Sequence, residues 1–212
     1  NEICFVSIFV NPTQFNNAED LQKYPRTLEQ DAQLLESLGV HFIFAPAPEE
    51  MYTEEEMKTS FSFDFNGLDE VMEGKMRPGH FNGVVQVVSR LFELVRPTRA
   101  YFGEKDFQQL AIIRHMVERS SLASHFEDLH IIGCPIVRET SGLALSSRNQ
   151  RLSTEEKQTA IGISQTLISS LKWAETASVA EVHQRVIDTI NAIDALEVEY
   201  YEIVDKTTLQ PT

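Results

Sequence analysis

The sequence predicts an α/β protein, a parallel sheet interleaved with helices and followed by a smaller α+β unit. Apolar, β-rich runs recur at residues 3–10 (ICFVSIFV), 40–45 (VHFIFA), 99–102 (RAYF) and 129–137 (LHIIGCPIV). Helical apolar spacing fills the intervals, and strands that alternate with helices pair in parallel through crossovers. Past residue 136 the pattern changes to two successive helices and one more strand-like run. At 212 residues and 42% hydrophobic content the chain can bury a sizeable core, enough for one large domain with a smaller one attached.

The strand runs are apolar throughout rather than alternating, which suits strands covered on both faces. In TLEQDAQLLESLG, Leu28, Ala32, Leu35 and Leu38 keep helical spacing, Thr27 with Gln30 forms a possible capping box, and Gly39 supplies the stop. A second helix, residues 83–97, is apolar enough to be largely buried and ends at Pro97. In DFQQLAIIRHMVE, Phe107, Leu110, Ile113 and Val117 recur at steps of three and four. Helices over RLSTEEKQTAIGISQTLISSLKWAE, opened by the box Ser153-x-x-Glu156, and SVAEVHQRVIDTINAI precede the strand-like VEYYEIV. Residues 46–82 read as a long irregular stretch of the kind that forms lids or binding loops, with Phe61, Phe63 and Phe65 suggesting an extra edge strand. The expected domains are residues 1–136 and 137–212.

A formal charge of −14, with only 18 Lys and Arg, argues against a nucleic acid or an anionic membrane as partner, because no basic face can be assembled. Small-molecule partners are favoured. Cys4 and Cys134 sit inside apolar runs without metal or CxxC spacing, so they are expected as buried thiols in a cytoplasmic protein. No apolar run is long enough to span a bilayer. The chain opens on Asn1, directly before a strand-like run, and stops just after another, so both ends are expected to be truncated.

Ligands of parallel sheets bind at the carboxyl ends of the strands. There this sequence places NPTQF (residues 11–15), GEKD (103–106) and SGLALSSRN (141–149). Gly103 allows a tight turn into a helix whose start presents unpaired N–H groups, and Lys105 adds a full positive charge, a combination suited to phosphate. The alternative is that Glu104 and Asp106 stand there because acids favour helix N-termini, with Lys105 solvated. In LSSRN, two hydroxyls and the Arg148 fork can clamp phosphate oxygens, or the segment is an ordinary exposed turn. Asn11 and Gln14, framed by Phe9, Val10 and Phe15, suit a small polar substrate; an Asn-Pro turn with Gln14 in water is the other reading. His80, in RPGHF, is a base or a histidine bonded within its own loop. The other histidines show no ligand spacing, so no protein-bound transition metal is expected.

Together SIFVNPTQF, DLQKYPRTLEQD, EGKMRPGHFNGVVQVVSRLFELVRP, YFGEKDFQQL and GLALSSRN, in this order and spacing, closely resemble the pantothenate synthetase family, the ATP-dependent pantoate–β-alanine ligases. The resemblance runs from about residue 3 to residue 152 and weakens beyond. It implies a Rossmann-like fold of the cytidylyltransferase-like nucleotidyltransferases, in which residues 1–136 bind nucleotide and pantoate and residues 137–212 are part of a C-terminal lid. It also implies a homodimer, ATP with Mg²⁺, and two steps: pantoyl adenylate forms with release of pyrophosphate, then β-alanine displaces AMP to give pantothenate for coenzyme A synthesis.

Position by position, the resemblance assigns Gln14 and Gln109 to pantoate, with Gln14 also beside β-alanine, and Asn11, Tyr24 and Glu73 to further substrate positions. It assigns Gly103, Glu104, Lys105 and Asp106, the Val137 backbone, and Leu145, Ser146, Ser147 and Arg148 to ATP, with Lys105 and Arg148 as the catalytic cations. The family's HxGH motif lies upstream of SIFVNPTQF and is absent from these 212 residues, so the chain as given is expected to be poorly active. Two readings compete with a ligase. One is an adenylyltransferase for a phosphorylated substrate, which would need more basic residues near Gln14 than Lys23 and Arg26. The other is a degenerate nucleotide-binding module without catalysis.

Overall fold

The computed structural model describes residues 2–59, 61–120 and 122–212. In chain order its elements are β1 (Phe5–Ser7), α1 (Ala18–Lys23), α2 (Leu28–Ser37), β2 (Phe42–Phe44), α3 (Pro48–Met51), α4 (Glu54–Lys58), α5 (Met72–Met76), α6 (His80–Val95), β3 (Arg99–Gly103), α7 (Phe107–Glu118), β4 (His130–Cys134), α8 (Thr154–Trp173) and α9 (Val179–Asn191). They fall into two compact units, Asn1–Asp64 with Arg77–Pro97, and Phe65–Met76 with Thr98–Thr212.

In the first unit β1 and β2 pair in parallel, with Phe5 opposite Phe42 and Ser7 opposite Phe44. The crossover between them is helical, as the sequence requires of parallel neighbours. α2 begins where expected, but Thr27 makes no capping bond; its hydroxyl donates to Asp31 Oδ2 at 3.1 Å instead. The helix carries no buried side chain, and Leu34 and Leu38 remain 60% and 71% exposed. The most deeply buried helix here is α6, which sequesters Phe81, Val84, Val85, Val88 and Phe92. Gly79 enters it at φ +79°, a left-handed turn that glycine adopts without a Cβ clash, and Arg96 leaves it in the same region before Pro97.

In the second unit β3 and β4 are also parallel, from Arg99 opposite His130 to Gly103 opposite Cys134. The expected periodicity of α7 is realised: Leu110, Ile113 and Val117 are buried, joined by Ile112 and Met116. α8 starts at the expected box, Ser153 Oγ accepting from Glu156 N while Ser153 N donates to Glu156 Oε2. Ser178 and Glu181 repeat the device at α9. Val182, Val186 and Ile190 of α9 form a core with Trp173, Leu196, Val198, Tyr201 and Ile203.

Several expectations need correction. Residues 61–65 form no strand, and residues 198–204 reach only an isolated bridge, Val204 with Pro211. Alternating apolar residues say which side chains turn inward, but a strand also requires a backbone partner. The stretch 46–82 is irregular only in part: it holds α3, α4 and α5, and α4 opens on a legible box, Thr53 with Glu56. The strands are not covered on both faces, since Phe42 and Tyr101 are 56% and 61% exposed. For the same reason Cys4, beside β1, is exposed and Cys134 only partly covered; both are free thiols.

Candidate active site

In the first unit the chain leaves β1 into a short 3-10 turn, Pro12–Gln14, with Asn11 at its start and Pro12 fixing the backbone. Asn11 is 2% exposed and its carboxamide is saturated. Nδ2 donates to Gly83 O at 3.0 Å and Gln14 Oε1 at 3.4 Å, while Oδ1 accepts from the Tyr52 hydroxyl at 3.0 Å and the Thr13 hydroxyl at 3.1 Å. Burial, with a smaller push from Glu56, raises the Tyr52 phenol to about 12, only partly offset by Thr13 and Arg90, so it stays a donor.

The turn can approach α6 because residue 83 is glycine. A Cβ there would stand 2.5 Å from Thr13 O and 2.7 Å from Gln14 N. His80 Nδ1 lies 2.8 Å from Gln14 O, which makes that nitrogen the protonated one, and Arg77 Nη2 reaches the same carbonyl at 3.4 Å. His80 N also donates to Arg77 O at 3.1 Å within its own loop, so this histidine ties that loop to the backbone of Gln14. Tyr24 ends α1 with its ring edge-on to Phe15, centroids 5.7 Å apart.

In the second unit the register of β3 and β4 sends Gly103 and Cys134 off the same sheet edge. Residues 104–106 form a 3-10 turn leading into α7, and neither acid caps the helix. Asp106 Oδ1 instead pairs with Lys105 Nζ at 3.2 Å on the exposed surface. Both acids nonetheless stand in the first turn, so this arrangement leaves open both readings of the segment. Gly133 on β4 leaves room for neighbours: a Cβ there would meet Arg114 Nη2 at 3.1 Å and Glu104 Oε1 at 3.2 Å.

After β4 the chain doubles back. Leu145 N donates to Val137 O at 3.1 Å and Arg138 bridges Ala144, so the Val137 backbone and the 145–148 loop are neighbours. Val137 and Leu145 are 65% and 51% exposed. Ser146 Oγ accepts from Arg148 N at 3.3 Å and starts the 3-10 turn Ser147–Arg151. Among the described residues no group of three or more His, Cys, Asp or Glu could hold a metal ion.

Gln108 and Gln109 diverge. Gln108 is 4% exposed; its Nε2 donates to Leu68 O at 2.8 Å and Val71 O at 2.7 Å, and its Oε1 accepts from Gly74 N at 3.4 Å. Gln109, half-buried, has no amide hydrogen bond among the described residues. Glu73 accepts from the Tyr200 hydroxyl at 2.9 Å. Sequence reading missed Gln108, Tyr52, Gly83 and Tyr200. Only the adjacent QQ pair held a signal, because neighbours on a helix cannot share one face.

Compared with known proteins, residues 1–212 match the family model described as pantoate-beta-alanine ligase. The chain belongs to that ligase family. It is 58% identical to the pantothenate synthetase of Bacteroides fragilis over 210 residues, 99% of this chain and 72% of the relative. It is 50% identical to that of Flavobacterium psychrophilum over the same shares. The crystal structure of the Thermus thermophilus pantothenate synthetase superposes with a TM-score of 0.91 at 43% identity, covering 100% of this chain and 75% of that one. A Francisella tularensis pantoate-beta-alanine ligase, solved with beta-gamma ATP and beta-alanine, matches with a TM-score of 0.74 at 37% identity, covering 89% and 68%. The fold class is thus the expected Rossmann-like α/β arrangement. As a family member the chain is an enzyme of the ligase class, and such dense similarity does not support a degenerate binding module.

Proposed function

We propose that the chain condenses pantoate with β-alanine at the expense of ATP, through pantoyl adenylate, with the residues above in the following roles. The observation that carries the assignment of the nucleotide site is the shared exit of β3 and β4, where residues 103–106 and the Val137–Leu145 pair leave one sheet edge. Gly103 brings the backbone close to the nucleotide, the Val137 backbone meets adenine, and Glu104, Asp106 and Leu145 line the pocket. Lys105, Arg148, the Ser146 and Ser147 hydroxyls and the N–H groups at the start of α7 receive the phosphates.

In the first step the pantoate carboxylate attacks the α-phosphorus and pyrophosphate departs. The nucleophile is already an anion, so no general base is needed. Lys105 and Arg148 stabilise the charge that builds on the phosphoryl oxygens and the leaving group. In the second step the neutral β-alanine amine attacks the acyl carbon, AMP leaves, and the amine proton is released as the amide forms; proximity supplies much of the rate. Gln14 and Gln109 orient pantoate, Gln14 also borders β-alanine, and Tyr24 and Glu73 complete the substrate contacts. Asn11, its amide committed to the protein, contributes by holding Gln14.

With no described cluster of metal-binding side chains, Mg²⁺ is taken to arrive on the triphosphate oxygens. Residues 1–136 act as the nucleotide and pantoate domain and residues 137–212 as part of the lid, in a cytoplasmic homodimer; the family resemblance supports these. No helix among the described residues is long and apolar enough to cross a membrane. Calorimetry and product analysis of the natural protein test the function: ATP and pantoate each bind, and ATP with both acids yields AMP, pyrophosphate and pantothenate in equal amounts. Release of ADP and phosphate, or failure to bind pantoate, refutes it.

A further inference from the structure

We propose that Tyr200 is a positioning residue for Glu73 and that, with Gln108 and Glu202, it sets the shape of the turn that enters α5, residues 68–74, and presents Glu73 to the substrates. This rests on the placing of Glu73 among the pantoate and β-alanine positions. Three consecutive residues, the first of α5, are each held by a side chain from elsewhere in the same unit. Met72 N donates to Glu202 Oε2 at 3.3 Å, Glu73 Oε2 accepts from the Tyr200 hydroxyl at 2.9 Å, and Gly74 N donates to Gln108 Oε1 at 3.4 Å.

The turn is tight and conformationally demanding. Met72 sits at φ +51°, a left-handed conformation unusual for a residue with a Cβ. At Gly74 a Cβ would collide with the Asp69 carbonyl, so only glycine fits. Gln108 meets the turn's remaining needs by giving both amide protons to the carbonyls of Leu68 and Val71. Stability alone accounts for those backbone bonds. It does not account for a phenol placed on the turn's own carboxylate, which fixes that side chain rather than the backbone.

The segment that supplies Tyr200 is built for the task. Residues 200–203 alternate without belonging to a strand: Tyr201 and Ile203 pack against the α9 core, and His183 Nε2 bonds Tyr201 O at 2.7 Å. Tyr200 and Glu202, facing the other way, reach residues 73 and 72. Burial first, then the Glu73 carboxylate and the nearby Glu199 and Glu202, push the Tyr200 phenol upward, so it remains a neutral donor at working pH. The strand-like pattern of VEYYEIV thus encodes a two-sided strap rather than a sheet member.

The test compares Tyr200→Phe, Glu73→Gln and the double variant in the natural protein, measuring kcat, the KM of each substrate and Tm. Glu73→Gln raises the KM of pantoate or β-alanine. Tyr200→Phe raises the same KM about tenfold, the scale of one hydrogen bond to a charged group, with the KM of ATP and Tm unchanged, and the double variant is no worse than the worse single one. An impaired Glu73→Gln beside a Tyr200→Phe with unaltered constants overturns the positioning role and leaves the site assignment standing. A Glu73→Gln with unaltered constants overturns both. A Tyr200→Phe that lowers Tm and shifts every constant alike marks a purely structural contact, and the role of Tyr200 is withdrawn.

Discussion

The turns at residues 11–14 and 103–106 both follow a parallel strand, yet they are built by opposite rules. The first is neutral, half-buried and tied down from within and without: buried Asn11 commits its whole amide to Gly83, Gln14, Thr13 and Tyr52. The second is charged and open, with Lys105 and Asp106 41% and 61% exposed and paired with each other. The difference follows from the ligands proposed for them. Orienting a small polar acid takes fixed dipoles, whose cost is met during folding. A triphosphate takes mobile cations, whose long side chains stay hydrated until the anion arrives and which cost little to keep at the surface.

That contrast is open to attack from both sides, and the largest effect is expected on the open turn. In the natural protein Lys105→Ala should lower turnover by roughly 10²–10³-fold, the scale for removing one donor to a transition-state charge, while stability moves by less than about 0.5 kcal/mol, as for a surface site. Normal steady-state kinetics in this variant would remove Lys105 from the chemistry. The closed turn should answer in the reverse way. Gly83→Ala forces a Cβ against the backbone of Thr13 and Gln14, and urea unfolding should register a loss of about 1–3 kcal/mol together with a raised pantoate KM. Undiminished stability would mean that the close approach of α6 is not what holds the turn.

Smaller effects calibrate these two. Ser178→Ala removes the cap of α9, where Ser178 Oγ accepts from Glu181 N at 3.3 Å, and should cost about 1 kcal/mol of stability with turnover untouched. A loss of activity there would show that stability and function are not separable as the two turns suggest. The weakest signal lies at high pH. Tyr52 keeps its proton to about 12, whereas a free tyrosine loses it near 10.0, so unfolding releases a proton in that window. Stability should therefore be intact below pH 10 and fall as pH rises toward 12. Tyr52→Phe should flatten that part of the difference curve, and an unchanged slope would contradict the burial of the phenol.

Much of the local structure was legible because it is written in local chemistry. The box Ser153-x-x-Glu156 forms with its expected bonds, and the apolar spacing of α7 predicts its buried face; the equally local box Thr53-x-x-Glu56 forms too, in a stretch expected to be irregular. The same kind of signal failed where the backbone had a choice of partners. Thr27 with Gln30 has the right spacing, but the Thr27 hydroxyl finds Asp31 instead. The alternating runs at 61–65 and 198–204 carry the period of a strand and meet no ladder. For the candidate site, motif and spacing picked out 11–14, 103–106 and 145–148, whereas His80 was assigned no more than a base or a self-bonded loop residue.

By itself, then, the sequence determined the class of fold, the starts of α2, α7, α8 and α9, the parallel βαβ order and the segments that bear the chemistry. These depend on periodicity, capping and charge within a few residues of one another. Tertiary structure alone decided that Gly83 is the seat of the Asn11 turn, that His80 serves the backbone of Gln14, and that Gln108 and Tyr200 reach residues 68–74 from 34 to 127 positions away. Such partners share no sequence period, because a hydrogen bond closed by the fold depends on where two backbones meet and not on how many residues separate them.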